Sequence, residues 1–99
     1  MDMTWDVKGE DLFIGVKGKL DTISAMDLDE KLNDMPKEIK NIYFDFDGLT
    51  YIASAGLRIL FWVQEYVVER GGNTSIKNVS PEVLEILDIT GFKDYINIE

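Results

Sequence analysis

The chain has 99 residues, 45% of them hydrophobic and 11% aromatic, which is enough apolar surface for one folded core but too little for two. Nineteen acidic residues against ten basic ones give a formal net charge of −9. This charge would repel nucleic-acid phosphates and anionic lipid, so we expect a single domain over residues 1–99 with no nucleic-acid partner and no direct membrane insertion.

Histidine and cysteine are both absent, which removes the commonest general base, the commonest zinc ligands and any disulfide framework. Asp45 and Asp47 form a carboxylate pair, but without a third ligand nearby we interpret them as solvated turn charges. We therefore expect no enzymatic activity, no metal and no cofactor. The acidic start MDMTWD lacks the basic segment of a signal peptide, so a cytoplasmic location is expected.

The first half of the chain predicts a hairpin followed by a helix. MTWDVKGEDLFIGVKGKL predicts two short strands around a Gly-Glu-Asp turn, and in the second of them Leu12, Ile14 and Val16 alternate with Phe13, Gly15 and Lys17. In DTISAMDLDEKLNDMPKE, hydrophobic residues recur at spacings of three and four until Pro36. We expect an amphipathic helix here, with Asp21, Thr22 and Ser24 as the candidates for its N-cap.

The second half predicts strands that alternate with helices. The run NIYFDF favours a strand and is followed by a turn signal, and a helix is expected over residues 54–70, before a pair of glycines. NTSIKNV predicts another strand, PEVLEILDIT a helix, and DYINI a short extended tail. Parallel strands connected through helices are typical of α/β proteins. We therefore expect a layered α/β fold with a mixed, partly parallel sheet packed by helices.

The stretch YIASAGLRIL places Ser54 where the strand pattern gives way to the helix pattern. One interpretation is an N-cap, whose side-chain oxygen accepts a first-turn N–H and contributes roughly 1 kcal/mol. The other is a regulatory site, because a helix N-terminus favours a phosphate, and phosphorylation adds about 1.5 to 2 negative charges. Spacing alone does not choose between the two interpretations.

The helix that follows Ser54 is apolar almost all the way round. Ile59, Trp62 and Tyr66 fall near Arg58 on one side. Either neighbouring helices bury this side, or it is a protein-binding patch, since Trp, Tyr and Arg are enriched at interface hot spots. The stripe expected to pack on the sheet consists of Leu57, Leu60, Phe61, Val67 and Val68.

Three segments together resemble the STAS domain family. NIYFDFDGLTYIASAGLRIL is similar to the central family motif, in which a strand leads through an Asp-Ser-Ser/Ala-Gly-Leu turn into a helix. GKLDTISA resembles the Gly-x-Leu-Asp segment before the first helix, and NVSPEVLEILDITGFKDYINI resembles the C-terminal stretch. The likeness spans nearly the whole chain in the right order, which is far more specific than one short motif. It implies a STAS-like fold.

The resemblance further implies an anti-sigma factor antagonist. Such a protein binds an anti-sigma factor with serine kinase activity and so releases a sigma factor. Phosphorylation of the motif serine, here Ser54, ends the binding, and a separate phosphatase reverses it. The family usually has aspartate before this serine, whereas this sequence has Ala53. That difference favours an alternative, a non-phosphorylated STAS interaction subunit of a lipid transport complex or a signalling scaffold.

The sequence thus predicts a phosphorylation site at Ser54 with a partner-binding surface around it. Asp21 and Thr22 have two interpretations, as N-caps of the first helix and as the border of this surface. The predicted partner-binding residues are Asp21, Thr22, Ala55, Gly56, Leu57, Arg58, Trp62 and Tyr66.

Overall fold

Six strands and three α-helices make up residues 2–99, the part of the chain that the computed structural model describes. The strands are β1 (Asp2–Lys8), β2 (Asp11–Leu20), β3 (Asn41–Asp45), β4 (Leu49–Ile52), β5 (Thr74–Lys77) and β6 (Asn97–Ile98). The helices are α1 (Thr22–Asn33), α2 (Ser54–Glu69) and α3 (Pro81–Ile89), and a 3₁₀ turn spans Phe92–Asp94. None of these helices is long and apolar enough to cross a bilayer.

The sheet is mixed and largely parallel, which confirms the predicted fold class. Its main path runs β1-β2-β3-β5-β6, in which β1 is antiparallel to β2 and every later neighbour pairs in parallel. Parallel neighbours need crossover connections, and α1 and α2 supply them between β2 and β3 and between β3 and β5. The predicted C-terminal tail contributes the edge strand β6.

β4 is a strand that the sequence pattern does not predict. It pairs in parallel with the far end of β2, with Leu49 opposite Gly18 and Ile52 opposite Leu20. Its four residues are buried at both ends and exposed in the middle, so they show no alternation of period two. The pairing of β4 with β2 therefore cannot be predicted from the sequence pattern and is found only in the structure.

The core lies between one face of the sheet and the inner sides of the helices. Along β2, Leu12, Ile14 and Val16 are buried, as the alternation predicts. Leu28 and Leu32 of α1 are buried at the predicted helical spacing. Full burial of one such side chain stabilises the fold by roughly 1.5–3 kcal/mol, so these two stripes anchor β2 and α1.

The buried side of α2 differs from the predicted stripe. Phe61 is 49% exposed and Val68 60% exposed, so the prediction that both pack on the sheet is wrong. Ile59, which was expected on the opposite side, is buried. The physical reason is that α2 packs against α1 as well as against the sheet, which turns its buried arc toward Ile59. The buried residues are Gly56, Ile59, Leu60, Val63 and Val67.

The C-terminal end of α2 depends on two consecutive glycines. Gly71 has φ = 70°, a left-handed conformation, and the N–H of Gly72 donates to the Val67 carbonyl oxygen at 2.7 Å. A Cβ on Gly71 would meet no atom within 4 Å, whereas a Cβ on Gly72 would overlap the Lys40 carbonyl oxygen. Glycine is therefore needed at position 71 because of the positive φ, and at position 72 because the Lys40 carbonyl oxygen leaves no room for a side chain.

We expect Gly72→Ala to destabilise the protein more than Gly71→Ala does. A side chain at the positive φ of Gly71 costs about 1 kcal/mol. Gly72→Ala forces two backbone segments apart, and such overpacking costs up to about 3 kcal/mol. Urea unfolding of the two variants and the parent protein measures both differences. Equal losses would contradict the close approach of Gly72 to Lys40.

Candidate functional site

The two helices that carry the predicted site begin side by side. Leu20 is opposite Ile52 in the β2–β4 ladder, and the N–H of Ala53 donates to the Leu20 carbonyl oxygen at 2.9 Å. Asp21 follows Leu20 directly, and Ser54 comes one residue later on its side, after Ala53. The fold therefore brings together the two segments that the sequence analysis singled out, although they are more than 30 residues apart in sequence.

Ser54 is the first residue of α2 and not its N-cap, so the N-cap interpretation is wrong by one position. The N-cap is Ala53, which makes no side-chain capping hydrogen bond. The N–H of Leu57 makes the first intrahelical bond, to the Ala53 carbonyl oxygen at 3.0 Å. The three N–H groups before Leu57 therefore have neither a helical acceptor nor a side-chain cap, and the Ser54 side chain is exposed beside them.

The start of α1 has a capping box formed by Asp21 and Ser24. Asp21 accepts a hydrogen bond from the Ser24 N–H at 2.9 Å, and the Ser24 hydroxyl oxygen accepts one from the Asp21 N–H at 2.9 Å. The Ser24 N–H, followed by the Ser24 hydroxyl, lowers the pKa of Asp21 below its ordinary value of 3.8. The N-cap interpretation of Asp21 is confirmed, while Thr22 is the first helical residue and is exposed.

A groove of about 400 Å³ runs between α1 and α2, and its lining begins on α2 with Ala55, the residue after Ser54. Four predicted partner-binding residues line this α1–α2 groove, namely Thr22, Ala55, Arg58 and Trp62. The small side chain of Ala55 helps to keep it open, and Trp62 is 39% exposed. The other lining residues are Ala25, Met26, Asp29 and Ile59.

Gly56, which was predicted to belong to the partner surface, is buried in the core. A Cβ at this position would lie 2.8 Å from Cγ1 of Ile52 and 2.9 Å from Cγ of Leu20. Its role is therefore to let α2 approach the two strand ends closely. Leu57 is half-buried against the same core and offers only part of its side chain to the surface.

Tyr66 lies farther along α2 and is half-buried. Its hydroxyl donates to the Ile39 carbonyl oxygen at 3.4 Å, and the Arg70 guanidinium stacks on its ring at 3.6 Å. Its ring centroid is 5.1 Å from that of Trp62. Tyr66 therefore supports Trp62 and is held in place by contacts within the chain.

Two exposed apolar residues of α1 are not among the predicted partner-binding residues, and one of them, Met26, lines the groove. Ile23 is 75% exposed and Met26 is 65% exposed, both in the first turns of α1. A signal for them existed, because neither falls on the helical stripe that contains Leu28 and Leu32. Large apolar side chains on the polar side of an amphipathic helix indicate a contact surface.

Of the carboxylate pair near the end of β3, Asp45 is held by hydrogen bonds within the chain. Asp45 accepts hydrogen bonds from Nδ2 of Asn78 at 2.9 Å and from the Asp47 N–H at 3.0 Å. The bond from Asn78 is the main reason that the pKa of Asp45 is lowered. Within residues 2–99 no three His, Cys, Asp or Glu side chains converge as a metal-binding group.

Comparison with known proteins adds to this geometry. The family model for the STAS domain matches residues 3–99. The chain belongs to the STAS domain family. The anti-sigma-B factor antagonist of Bacillus subtilis strain 168 is 30% identical over 100 residues, which cover 99% of this chain and 92% of that protein.

Two solved structures of SpoIIAA share the STAS fold. The unphosphorylated anti-sigma factor antagonist SpoIIAA has a TM-score of 0.83 at 18% identity, with 99% of this chain and 88% of that chain covered. The phosphorylated form of SpoIIAA, a Bacillus cell fate determinant, has a TM-score of 0.78 at 18% identity, with 99% and 91% covered. At these identities the likeness concerns the fold alone.

In this STAS chain we expect Ala53→Asp to stabilise α2. Aspartate at the N-cap accepts a first-turn N–H, and such caps contribute about 1 kcal/mol relative to alanine. Ala53→Asn is the matched control, because asparagine caps without a charge. Urea unfolding at low and high salt measures both effects, and only the charge–dipole part of the aspartate effect should fall with salt. If neither variant is more stable than the parent, the start of α2 is not an open cap.

The STAS chain should also show a pH-dependent contribution from Asp21. Its folded pKa lies below the unfolded value of 3.8, so its stabilisation is complete above that pH and is lost as the pH falls through the folded pKa. Carboxyl ¹³C titration by NMR measures the folded pKa directly. Asp21→Asn keeps an acceptor but does not titrate, so its difference in unfolding free energy from the parent should change below pH 3.8. A difference that stays constant there would contradict the role of the Asp21 charge.

Proposed function

We propose that this STAS protein is an anti-sigma factor antagonist, which binds an anti-sigma factor and so releases a sigma factor. The observation that carries the proposal is the similarity to the anti-sigma-B factor antagonist of Bacillus subtilis, which is 30% identical over nearly the full length of both chains. The proposed activity of this protein is binding alone, because an antagonist needs only to bind the anti-sigma factor in place of the sigma factor.

The α1–α2 groove and the exposed residues at its edge supply the binding surface. Met26 and Trp62 offer apolar and aromatic area, and Arg58 offers a charged group, a combination typical of interface hot spots. The net charge of −9 favours a partner whose contact surface has a basic rim. The acidic side chain of Asp29 in the groove is a suitable contact for such a rim.

Ser54 is the switch in this proposal. Its exposed hydroxyl lies at the start of α2, where a serine kinase can reach it. The kinase is the anti-sigma factor itself, which transfers the γ-phosphate of ATP to the hydroxyl oxygen, and a separate phosphatase hydrolyses the phosphoserine. The bulk of the phosphate and its charge of about −1.5 to −2 would oppose a closely packed apolar contact of the partner at this end of α2. SpoIIAA, which shares the fold, has been solved in both forms.

Ala53 changes the electrostatics of this switch. With aspartate at position 53, a phosphate on Ser54 would adjoin a second negative charge. With Ala53, the phosphate meets open N–H groups and the positive end of the α2 dipole. Phosphorylation should therefore leave the fold of α2 intact, and its effect on the partner would come from charge and bulk at the groove.

Ala53 also favours a second candidate function. If the kinase requires a carboxylate before the serine, Ala53 would prevent phosphorylation. The protein would then be a STAS interaction subunit without a switch, in a lipid transport complex or a signalling scaffold. In that case the groove would bind a partner permanently.

The experiment is intact-mass spectrometry after incubation with ATP and each candidate anti-sigma kinase of the same genome. We expect the addition of one phosphate, which Ser54→Ala abolishes. Calorimetry of the same kinase with Ser54→Asp and with its uncharged match Ser54→Asn then tests the switch. The aspartate variant should bind at least about tenfold more weakly, because it places a charge in a hot-spot region, while the asparagine variant should bind nearly normally.

The outcomes separate the two candidates. Binding without phosphate transfer would make the protein an antagonist without a switch. If it binds none of the kinases, the antagonist function is wrong and the transport or scaffold function replaces it.

A further inference from the structure

The sheet has a second face that no helix of residues 2–99 covers. A shallow cavity of about 520 Å³ lies over it, and the residues that line it belong to β1, β2, β3 and β5 together with Glu99. We call this the open sheet face. It contains the strand residues that alternate with the core positions, so it points away from α1, α2 and the α1–α2 groove.

Two cross-strand rows run through the centre of the open sheet face. The strand register places Asp6, Phe13, Tyr43 and Ser75 side by side in one row. The adjacent row consists of Thr4, Gly15, Asp45 and Lys77. The first row is bulky and aromatic at its centre, and the second has no side chain at Gly15.

The two rows have complementary shapes. The rings of Phe13 and Tyr43 are 5.4 Å apart between centroids, and Phe13 is 39% exposed. Beside them, the N–H of Gly15 donates to Oγ1 of Thr4 at 3.1 Å, and this oxygen lies so close that a Cβ on Gly15 would overlap it. The small Thr4 side chain therefore fills the place over Gly15, and the protruding ring of Phe13 lies next to a shallow depression on the same face.

We propose that the open sheet face binds a second copy of this chain around a two-fold axis that lies between the two rows. The axis runs parallel to the rows, in the plane of the contact. Rotation by 180° about it places each row against the adjacent row of the other copy, and the order of the strands along the rows is kept. Phe13 then lies over Gly15 of the second copy, and the Tyr43 hydroxyl approaches its Asp45. A face with a ring beside a depression is self-complementary under this operation.

The outer rows of the face support the same axis through their charges. Beyond the aromatic row, Lys8 is opposite Asp11, and beyond the glycine row, Asp2 is opposite Lys17. The two-fold axis brings these outer rows together, so that Lys8 meets Asp2 of the second copy and Asp11 meets Lys17. Two chains of charge −9 repel each other in general, and this register puts opposite charges together.

The size of the face sets the strength of the dimer. Strands about 4.8 Å apart that rise about 3.3 Å per residue give a contact of roughly 500 Å² per copy for the five strands of the main path. A total of about 1,000 Å² is the lower limit of specific interfaces. We therefore expect a reversible dimer that forms as the concentration rises from micromolar to millimolar.

Sedimentation equilibrium over this concentration range tests the proposal. Phe13→Glu places a charge in the centre of the contact and should raise the dissociation constant at least about tenfold. Trp62→Glu is the matched control, because Trp62 is also 39% exposed but lies in the α1–α2 groove. It should leave the dimer unchanged. A parent protein that is monomeric at millimolar concentration, or equal weakening by both variants, would overturn the proposal.

Charge reversal tests the axis. Lys17→Glu should weaken the dimer by repulsion from Asp11 of the second copy, and Lys17→Glu with Asp11→Lys should restore it. The two residues lie six positions apart along β2, too far to pair within one chain. Failure of the double variant to recover would overturn this two-fold arrangement. Concentration-dependent amide shifts of the parent protein, expected on the open sheet face and not in the groove, test the choice of face without a substitution.

Discussion

The parallel pairing of β4 with the far end of β2 is the constraint on which the site depends. It ends both strands at the same level, so that α1 and α2 start next to each other and run together across the core. Gly56 makes this possible, because any larger residue would push α2 away from Leu20 and Ile52. The positions of the groove, of Ser54 and of the two helix N-termini all follow from the pairing of β4 with β2.

The two helix N-termini differ in how their N–H groups are satisfied. At α1, the side chains of Asp21 and Ser24 satisfy the N–H group of each other's residue with reciprocal hydrogen bonds. At α2, Ala53 leaves the first turn open, and Ser54 lies beside it. An anion attached to Ser54 would therefore find donors at one terminus and a carboxylate at the other. Under the proposed function, this asymmetry would let α2 accept a phosphate on Ser54 without loss of structure while a bound partner meets the added charge.

Local patterns predicted the parts of the fold that local interactions determine. The alternation along β2, the stripe of α1 and the cap at Asp21 all follow from spacing within one segment. β4, the buried arc of α2 and the N-cap at Ala53 could not be read in this way, because each depends on a partner distant in sequence. Leu20 fixes where α2 begins, and α1 decides that Ile59 and not Phe61 is buried. The neighbourhood of Asp21 and Ser54 came from the family resemblance, since periodicity does not relate two segments.

β2 connects the two surfaces to which functions are assigned. Its even-numbered side chains Leu12, Ile14 and Val16 anchor the core beneath the helices, while Phe13 and Gly15 point to the open sheet face. A dimer through that face would leave both α1–α2 grooves pointing outward, so each copy could still bind its own partner. The dimer would then raise the local concentration of antagonist without competing for the site, and phosphorylation of Ser54 would act on each groove separately.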